Sequence, residues 1–196
     1  MLRIVGGLAR GCRLEPPPSR VVRPPTDRMR ESLFAVLEKD LTDARVLDAF
    51  AGTGVMGLEA LSRGARHCTF VERDRDALAV LARNIRTVGF LSRTDVRAQD
   101  LRAKLVLEER VDLAFLDPPF PLFADVEGRA FLKGLLADFC ARLVRPGGKL
   151  VLRHEEKTAR EAEEVLAGLD VTRDRPRVYG RSVVKILVTP AAPAEA

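Results

Sequence analysis

Short apolar runs alternate with amphipathic segments from Arg45 to Ala167, and this alternation constrains the fold of the 196-residue chain more than any other feature. The runs are rich in branched and aromatic residues, as strands are, and the segments between them have apolar residues at helical spacing. The predicted strands are 45–50, 67–72, 111–117 and 149–153, with a weaker strand at 93–98, and the predicted helices lie near 55–63, 74–87, 127–143 and 158–167. Strands that alternate with helices indicate an α/β fold, in which a parallel sheet is covered on both faces.

Both ends of the chain depart from this alternation. Near the C-terminus, two predicted strands, 171–178 and 182–188, flank Tyr179-Gly180-Arg181, which predicts a hairpin that adds an antiparallel strand. Near the N-terminus, glycines within residues 3–14 predict a small hairpin, and Thr26 or Asp27 can cap a following helix. We therefore expect a seven-stranded, mostly parallel sheet with an antiparallel C-terminal hairpin. The predicted domains are a basic N-terminal extension (1–25), a main domain (26–189) and a flexible tail (190–196).

The first predicted strand runs into a glycine-rich loop. Gly52, Gly54 and Gly57 match the pattern G-x-G-x-x-G, in which glycines let the backbone approach a ligand closely. Glu72 follows 20 residues after Gly52, at the end of the next predicted strand, where a carboxylate can accept hydrogen bonds from ribose hydroxyls. This pattern predicts a nucleotide-type cofactor, and NAD is one ligand that fits it.

Asp48 favours a different cofactor. It lies four residues before Gly52, at the mouth of the same turn, where its charge would repel the pyrophosphate of NAD. S-adenosylmethionine carries an ammonium and a sulfonium group and lacks phosphate, so an acidic residue at this position suits it. The alternative for Asp48 is a carboxylate that caps the N–H groups of the loop.

The second chemical motif is Asp117-Pro118-Pro119-Phe120, at the predicted C-terminal end of strand 111–117. Open α/β sheets bind their ligands at that end of the strands. The two prolines remove two N–H donors, so the Asp117 carboxylate and a neighbouring carbonyl are acceptors beside the Phe120 ring. Two acceptors beside a ring suit a planar exocyclic amine. The alternatives are an aspartate that caps a helix and a phenylalanine that belongs to the core.

The excess positive charge of the chain is confined to its first 30 residues. This segment has seven arginines and two acidic residues, a net charge of +5, which equals the net charge of the whole chain. Concentrated arginine indicates a surface that binds phosphates, because the guanidinium group can contact them in bidentate geometry. The arginines predicted to bind RNA are Arg3, Arg10, Arg13, Arg20, Arg23, Arg28 and Arg30.

Other classes of protein are disfavoured. No apolar stretch approaches the roughly 18 residues that a membrane helix needs, and the N-terminus lacks an apolar signal segment, so we expect a cytoplasmic protein. The three cysteines form no CxxC pair, which supports neither a disulfide framework nor a zinc site, and we predict no metal. We also expect a monomer.

Several of these segments together resemble a known family. Residues 46–54 resemble motif I of the class I S-adenosylmethionine-dependent methyltransferases, which have a Rossmann-like fold, and residues 117–120 resemble their amino-methylating (D/N)PP(F/Y) motif. Residues 6–11, 23–34 and 57–65 are similar to the bacterial RsmD family, and the similarity covers almost the whole chain. The second proline of Pro24-Pro25 departs from the family pattern.

The resemblance implies an enzyme that methylates a guanine N2 in 16S ribosomal RNA, within a small ribosomal subunit or an assembly intermediate. Motif I would hold the methionine part of S-adenosylmethionine, Glu72 the ribose, and Gln99 and Asp100 the adenine, with a helix N-cap as the alternative for Asp100. The implied cofactor residues are Asp48, Phe50, Ala51, Gly52, Thr53, Gly54, Glu72, Arg73, Gln99 and Asp100, and the implied catalytic residues are Asp117, Pro118, Pro119 and Phe120. The Asp117 carboxylate and the Pro118 carbonyl would accept hydrogen bonds from the amine, and Phe120 would stack on the base.

Three other functions stay open at this point. An adenine-N6 methyltransferase acting on DNA or RNA fits the same two acceptors. A non-catalytic assembly factor that binds ribosomal RNA fits the basic arm, and an NAD-dependent oxidoreductase fits the glycine loop. Guanine is favoured only by the basic arm and the family resemblance, and whether Asp117 removes a proton from the amine also stays open.

Overall fold

The computed structural model describes residues 2–17 and 24–192. The chain divides into two units, Met1–Ala103 and Lys104–Ala196. Arg20 and Arg23 lie outside the described residues, as does the end of the predicted tail, 193–196. The boundary between the units follows the third predicted strand, so the glycine loop belongs to the first unit and the Asp-Pro-Pro-Phe motif to the second.

The described part of the first unit contains three parallel strands. The central strand, β2 (His67–Glu72), pairs with β1 (Arg45–Ala49) and with β3 (Thr94–Ala98). The helices of its described part are α1 (Asp27–Val36), α2 (Glu38–Leu41), α3 (Val55–Ser62) and α4 (Arg75–Val88). β1 and β2 are almost wholly buried, as expected of strands that are covered on both faces.

The second unit combines parallel and antiparallel pairing. β4 (Val111–Leu116) is parallel to β5 (Val144–Glu155), and β8 (Ser182–Val188) is antiparallel to β5 along its whole length. β6 (Thr172–Arg173) and β7 (Arg177–Tyr179) both pair with β8. The helices are α5 (Pro121–Ala124), α6 (Val126–Asp138) and α7 (Ala159–Leu166). None of the helices within residues 2–17 and 24–192 is both long and apolar enough to cross a membrane.

The pairing confirms the predicted α/β class with an antiparallel C-terminal hairpin. β5 occupies one edge of β8, so β6 and β7 share the other edge and together form one strand position. Within the described residues, the first unit has three strand positions and the second has four. β5 begins earlier than predicted, at Val144, because Val144 pairs with Val111 before the register shifts across the segment 145–148.

The N-terminal hairpin (residues 2–14) is attached to the end of α3. Arg3 and Arg13 form its antiparallel bridge, and Ile4 N donates to Cys12 O at 2.9 Å. Ser62, the last residue of α3, accepts hydrogen bonds from Leu8 N at 2.7 Å on its carbonyl and from Ala9 N at 2.9 Å on its hydroxyl. The predicted N-terminal hairpin is therefore present in residues 2–14 and is bound to the end of α3.

A buried ion pair holds α1, α3 and this hairpin together. The side chain of Arg30, on α1, is 0% exposed, and its Nη1 lies 3.2 Å from Oε2 of Glu59 on α3. The same Nη1 donates to the carbonyl of Arg3 at 2.6 Å, and Nη2 donates to Asp27 at 2.7 Å. Glu59 also accepts from Val5 N at 2.9 Å. Three segments distant in sequence thus meet at one guanidinium group.

The predicted contact of Arg30 with RNA is wrong. Its guanidinium is buried and bonded to groups of the protein, so it cannot reach a phosphate. Burial lowers the pKa of Arg30, while the charges of Glu59 and Asp27 act in the opposite direction. In the sequence, Arg30 lies on α1 near Met29 and Leu33, which are buried. Helical periodicity predicts that apolar face, but it does not reveal that Arg30 itself is buried against Glu59.

Replacing Arg30 should destabilise the fold far more than replacing its exposed neighbour on the same helix, Arg28. We expect Arg30→Ala to lower the free energy of unfolding by about 3–5 kcal/mol, because it leaves Glu59 buried with one charged partner fewer. Arg28→Ala should change it by no more than about 0.5 kcal/mol. Urea unfolding followed by circular dichroism measures both, and equal effects would contradict the structural role of Arg30.

Candidate functional site

The loop between β1 and α3 has a strained backbone. Phe50, Gly52 and Gly54 all have positive φ angles, of 62°, 55° and 82°. A positive φ is costly for phenylalanine, so the surrounding structure must hold it, and such strain is concentrated at functional sites. The turn is closed by hydrogen bonds from Gly54 N to Ala51 O at 2.8 Å and from Ala51 N to Val71 O at 3.0 Å. The loop therefore has one defined shape, at the carboxyl end of β1.

The three glycines of the loop have different roles. A Cβ atom on Gly57 would overlap the Phe70 ring and would lie 2.5 Å from the sulfur of Cys68, so this glycine lets α3 pack on β2. A Cβ on Gly54 would overlap Leu81 of α4. At Gly52 a Cβ would meet no atom of the described residues within 4 Å. Gly52 therefore borders open space that a ligand can enter, whereas Gly54 and Gly57 serve packing.

Two carboxylates bind backbone N–H groups of residues 52–57. Asp48 is 1% exposed, and its Oδ2 accepts from Gly57 N at 2.8 Å. Glu72 accepts from Gly52 N at 2.8 Å on Oε2, and its Oε1 accepts from Arg73 N at 2.8 Å. Gly57 lies in the first turn of α3, so this bond caps the start of the helix and not an N–H group of the loop. A carboxylate has about four acceptor sites, so this bond is compatible with a further contact to a cationic ligand.

The ends of β2 and β3 bring the other predicted cofactor residues together. Gln99 N donates to the carbonyl of Glu72 at 3.0 Å, and Arg73 Nη1 donates to Asp100 at 2.7 Å. Asp100 also accepts from Arg102 N at 2.9 Å within a turn, so it does not have the alternative role of a helix N-cap. The hydrogen bond from Arg102 N and then that from Arg73 lower the pKa of Asp100. Asp100 is therefore an ionised acceptor that is bound to Arg73, the residue after Glu72.

The Asp-Pro-Pro-Phe motif follows directly on β4, whose last residue is Leu116. The carbonyls of Pro119 and Phe120 accept hydrogen bonds that start the helical turn of α5. No N–H group of the described residues bonds to the carbonyl of Pro118. Asp117 does not cap α5, because its carboxylate faces a side chain of β5, and Phe120 is only half-buried. Both predicted acceptors are therefore present beside an accessible ring.

The sequence patterns do not single out Arg153, yet it contacts this motif. Its side chain, on β5, is only 7% exposed, and Nη1 donates to Oδ2 of Asp117 at 2.5 Å. Its Cζ lies 5.3 Å from the centre of the Phe120 ring. Burial raises the pKa of the Asp117 carboxyl, and the charge of Arg153 opposes the rise. The signal in the sequence is an arginine directly after the apolar run 150–152, since arginine is seldom buried without a partner.

Four of the predicted RNA-binding arginines lie on the surface of the first unit. Arg3 is exposed and pairs with Asp27 at 2.9 Å. Arg10, Arg13 and Arg28 are exposed, and their side chains form no ion pair with the described residues. The hairpin and the start of α1 thus present positive charge that the described part of the chain does not neutralise.

Comparisons with known proteins extend over nearly the whole chain. The family model described as conserved hypothetical protein 95 matches residues 2–188. The Escherichia coli (strain K12) protein named ribosomal RNA small subunit methyltransferase D is 42% identical over 122 residues, 61% of this chain and 60% of that protein. The chain therefore matches less than two thirds of that relative's length. YlbH of Bacillus subtilis is 31% identical over 189 residues, 94% of this chain and 97% of YlbH.

A solved structure supports the fold. The structure of yhhF from Escherichia coli superposes with a TM-score of 0.74 at 29% identity, over 97% of this chain and 99% of that one. This similarity confirms the predicted Rossmann-like α/β fold.

Two helical glycines should respond to alanine in opposite directions. Gly57→Ala should destabilise the protein by about 1–3 kcal/mol, because the new methyl group overlaps the buried Phe70 ring. Gly134→Ala, on α6, should stabilise it by up to about 1 kcal/mol, because a Cβ there meets no atom within 4 Å and alanine favours helix. Chemical denaturation of both variants tests this, and stabilisation by Gly57→Ala would show that the loop does not need this glycine.

Proposed function

The chain belongs to the RsmD family, whose model is described as conserved hypothetical protein 95, and we propose that it is an S-adenosylmethionine-dependent methyltransferase acting on small-subunit ribosomal RNA. The observation that carries the proposal is the pair of acceptors at the end of β4, the Asp117 carboxylate and the Pro118 carbonyl, beside the Phe120 ring. The relative named ribosomal RNA small subunit methyltransferase D supports the choice of RNA.

The first unit fits S-adenosylmethionine better than NAD. Gly52 borders open space, and the carboxylates of Asp48 and Glu72 bind N–H groups of residues 52–57, which disfavours a pyrophosphate and favours a cation. When bound, S-adenosylmethionine supplies an electrophilic methyl group. Asp48 on β1 and residues 50–54 of the strained loop would hold one part of it. The other part would be held by residues at the ends of β2 and β3, namely Glu72, Arg73, Gln99 and Asp100.

The residues of the second unit would position the amine. The lone pair of a guanine N2 is delocalised into the ring, which makes it a poor nucleophile. Hydrogen bonds from its two N–H groups to the Asp117 carboxylate and the Pro118 carbonyl would fix the amine and localise the lone pair. Such positioning is worth up to about 7–11 kcal/mol in favourable cases. Phe120 would stack on the base, a contact worth about 1–3 kcal/mol.

Asp117 and water are both candidates to receive the proton that leaves the amine. The amine becomes acidic only after methylation, so the proton leaves late. The raised pKa of Asp117 brings this carboxyl closer to the range in which it can accept a proton near neutral pH. Asp117 accepts a hydrogen bond from the amine during methyl transfer whether Asp117 or water later receives the proton.

The surface arginines of the first unit would bind the RNA backbone. Arg3, Arg10, Arg13 and Arg28 are exposed, and three of them have no ion pair within the described residues. A guanine in a loop is the favoured substrate, because a base that is already unstacked costs less to bring into a pocket than a paired one. Guanine rather than adenine rests on the family, since both bases carry an exocyclic amine that fits the two acceptors.

A methyl-transfer assay tests the function. Labelled S-adenosylmethionine is incubated with small subunits that lack the modification, with isolated 16S ribosomal RNA and with duplex DNA, and the labelled nucleotide is mapped. We expect label on one guanine of the small-subunit RNA. Asp117→Asn should lower turnover by at least about 100-fold, because it removes the charged acceptor, while the affinity for the cofactor stays nearly unchanged.

The outcomes of this assay separate the alternatives. Label on adenine alone would show an adenine-N6 methyltransferase. Binding of RNA and of S-adenosylmethionine without label on any acceptor would favour a non-catalytic assembly factor. Calorimetry with the two cofactors completes the comparison, and heat of binding with NAD but not with S-adenosylmethionine would favour an oxidoreductase.

RNA affinity should fall steeply with salt if the arginines contact phosphates. Arg10→Ala and Arg13→Ala should each make the slope of log K for RNA binding against log salt shallower by about 1. The reason is that binding with one phosphate contact fewer releases fewer counterions from the RNA. Arg160→Ala is the control, because Arg160 is 90% exposed but lies on α7 of the second unit. Fluorescence anisotropy over a salt series measures the slopes, and equal slopes for all variants would exclude the hairpin from RNA binding.

A further inference from the structure

Arg153 is placed to act on both side chains of the motif at the end of β4. Its guanidinium donates to Oδ2 of Asp117 at 2.5 Å, and its Cζ lies 5.3 Å from the centre of the Phe120 ring. Its Nε is 3.3 Å from the hydroxyl of Ser182 on β8, which helps to fix the side chain. One buried cation thus touches the proposed acceptor and the proposed stacking ring.

We propose that Arg153 is a positioning residue for methyl transfer, which anchors Oδ2 of Asp117 so that Oδ1 can accept a hydrogen bond from the amine, and which sets the plane of the Phe120 ring. This inference rests on the proposed function. No relative's name and no motif of the family resemblance assigns a role to Arg153, and the inference comes from its contacts alone.

The hydrogen bonding of Asp117 supports this role. Among the described residues, Arg153 supplies the hydrogen bond to this carboxylate, so the guanidinium decides which oxygen is engaged and how the carboxylate is turned. A carboxylate largely removed from water needs a donor or a cation to stay ionised, and a carboxyl group accepts fully on both oxygens only when it is ionised. Arg153 meets both needs with one contact.

The contact with Phe120 orients the ring. A guanidinium over the face of an aromatic ring is attracted by the ring's negative face, and it occupies that face. A base could then stack only on the opposite face. The same group that turns the carboxylate therefore also limits where the plane of the base can lie.

A second arginine of β5 forms an ion pair with an aspartate of β4, away from the motif. Arg145, near the start of β5, pairs with Asp112 near the start of β4 at 2.7 Å, and its side chain is 61% exposed. It lies at the other end of the strands, away from the motif. Arg145 is therefore the matched control for Arg153, because both replacements remove an arginine of β5 that pairs with an aspartate on or directly after β4.

The test compares Arg153→Gln, Arg153→Lys and Arg145→Gln. We expect Arg153→Gln to lower kcat by about 100-fold near neutral pH, as a small misplacement of reacting groups does, with the KM for the cofactor unchanged within about threefold. Arg153→Lys keeps the charge but not the planar fork, so it should lose less. Arg145→Gln should keep the kcat of the unaltered protein.

The pH profile distinguishes positioning from loss of structure. Asp117 must be ionised to accept, so kcat falls as pH drops through its pKa. Removing the positive charge of Arg153 raises that pKa further, so the acid limb of the Arg153→Gln profile should move to higher pH. The limb should stay in place for Arg153→Lys and Arg145→Gln. In an Asp117→Asn background, Arg153→Gln should lower kcat much less than it does in the unaltered chain, because only its contact with the Phe120 ring is left to lose.

A measurement without turnover keeps the inference separate from the proposed function. The pKa of the Asp117 carboxyl can be followed by carbon NMR in the free protein, with Asp117→Asn to identify its signal, and it should be higher in Arg153→Gln than in the unaltered chain. If the unaltered protein methylates no acceptor, the proposed function fails and this titration still tests the anchoring of Asp117. An unchanged Asp117 pKa and pH profile in folded Arg153→Gln would overturn the inference. If that variant does not fold, an unchanged kcat in Arg153→Lys would overturn it.

Discussion

A carboxylate taken out of water must find donors inside the protein, and much of this structure follows from that constraint. Asp48 binds the N–H of Gly57, which fixes the loop between β1 and α3. Glu59 binds Arg30, Val5 N and Arg63, which ties the N-terminal hairpin to α1 and α3. Asp117 binds Arg153. Each of these carboxylates therefore joins elements that the chain alone would leave separate.

The number of hydrogen-bond donors differs between Glu59 and Asp117. Glu59 receives donors on both oxygens, from Val5 N and Arg30 on Oε2 and from Arg63 on Oε1, and it serves stability. Asp117 receives a donor on Oδ2 only, within the part of the chain that the structure describes. An oxygen that lacks a protein donor is the oxygen that an exocyclic amine can use. In the proposed function, the hydrogen bonding of carboxylates that stabilises the first unit would serve binding of the amine in the second.

Much of the fold and part of the site could be predicted from local patterns. The strands at 67–72 and 182–188 match their predicted bounds. Thr26 caps α1, as predicted, by accepting from Met29 N at 3.2 Å. These features could be predicted because strand patterns, helical spacing and capping depend on residues close in sequence. Asp117 follows its strand as predicted for the same reason. Asp100 closes a turn instead of capping a helix, since an aspartate accepts from backbone N–H groups in either setting.

The sequence by itself determined the order of strands and helices, the glycine loop, the Asp-Pro-Pro-Phe turn and the concentration of arginine near the N-terminus. Only the tertiary structure decided which arginines are available to a ligand. Arg30 lies in the basic segment but is buried on Glu59, whereas Arg153 lies far from it and contacts Asp117. The reason is physical: the partner of a buried charge comes from a distant segment, 29 residues away for Arg30 and 36 for Arg153, so local periodicity cannot identify it.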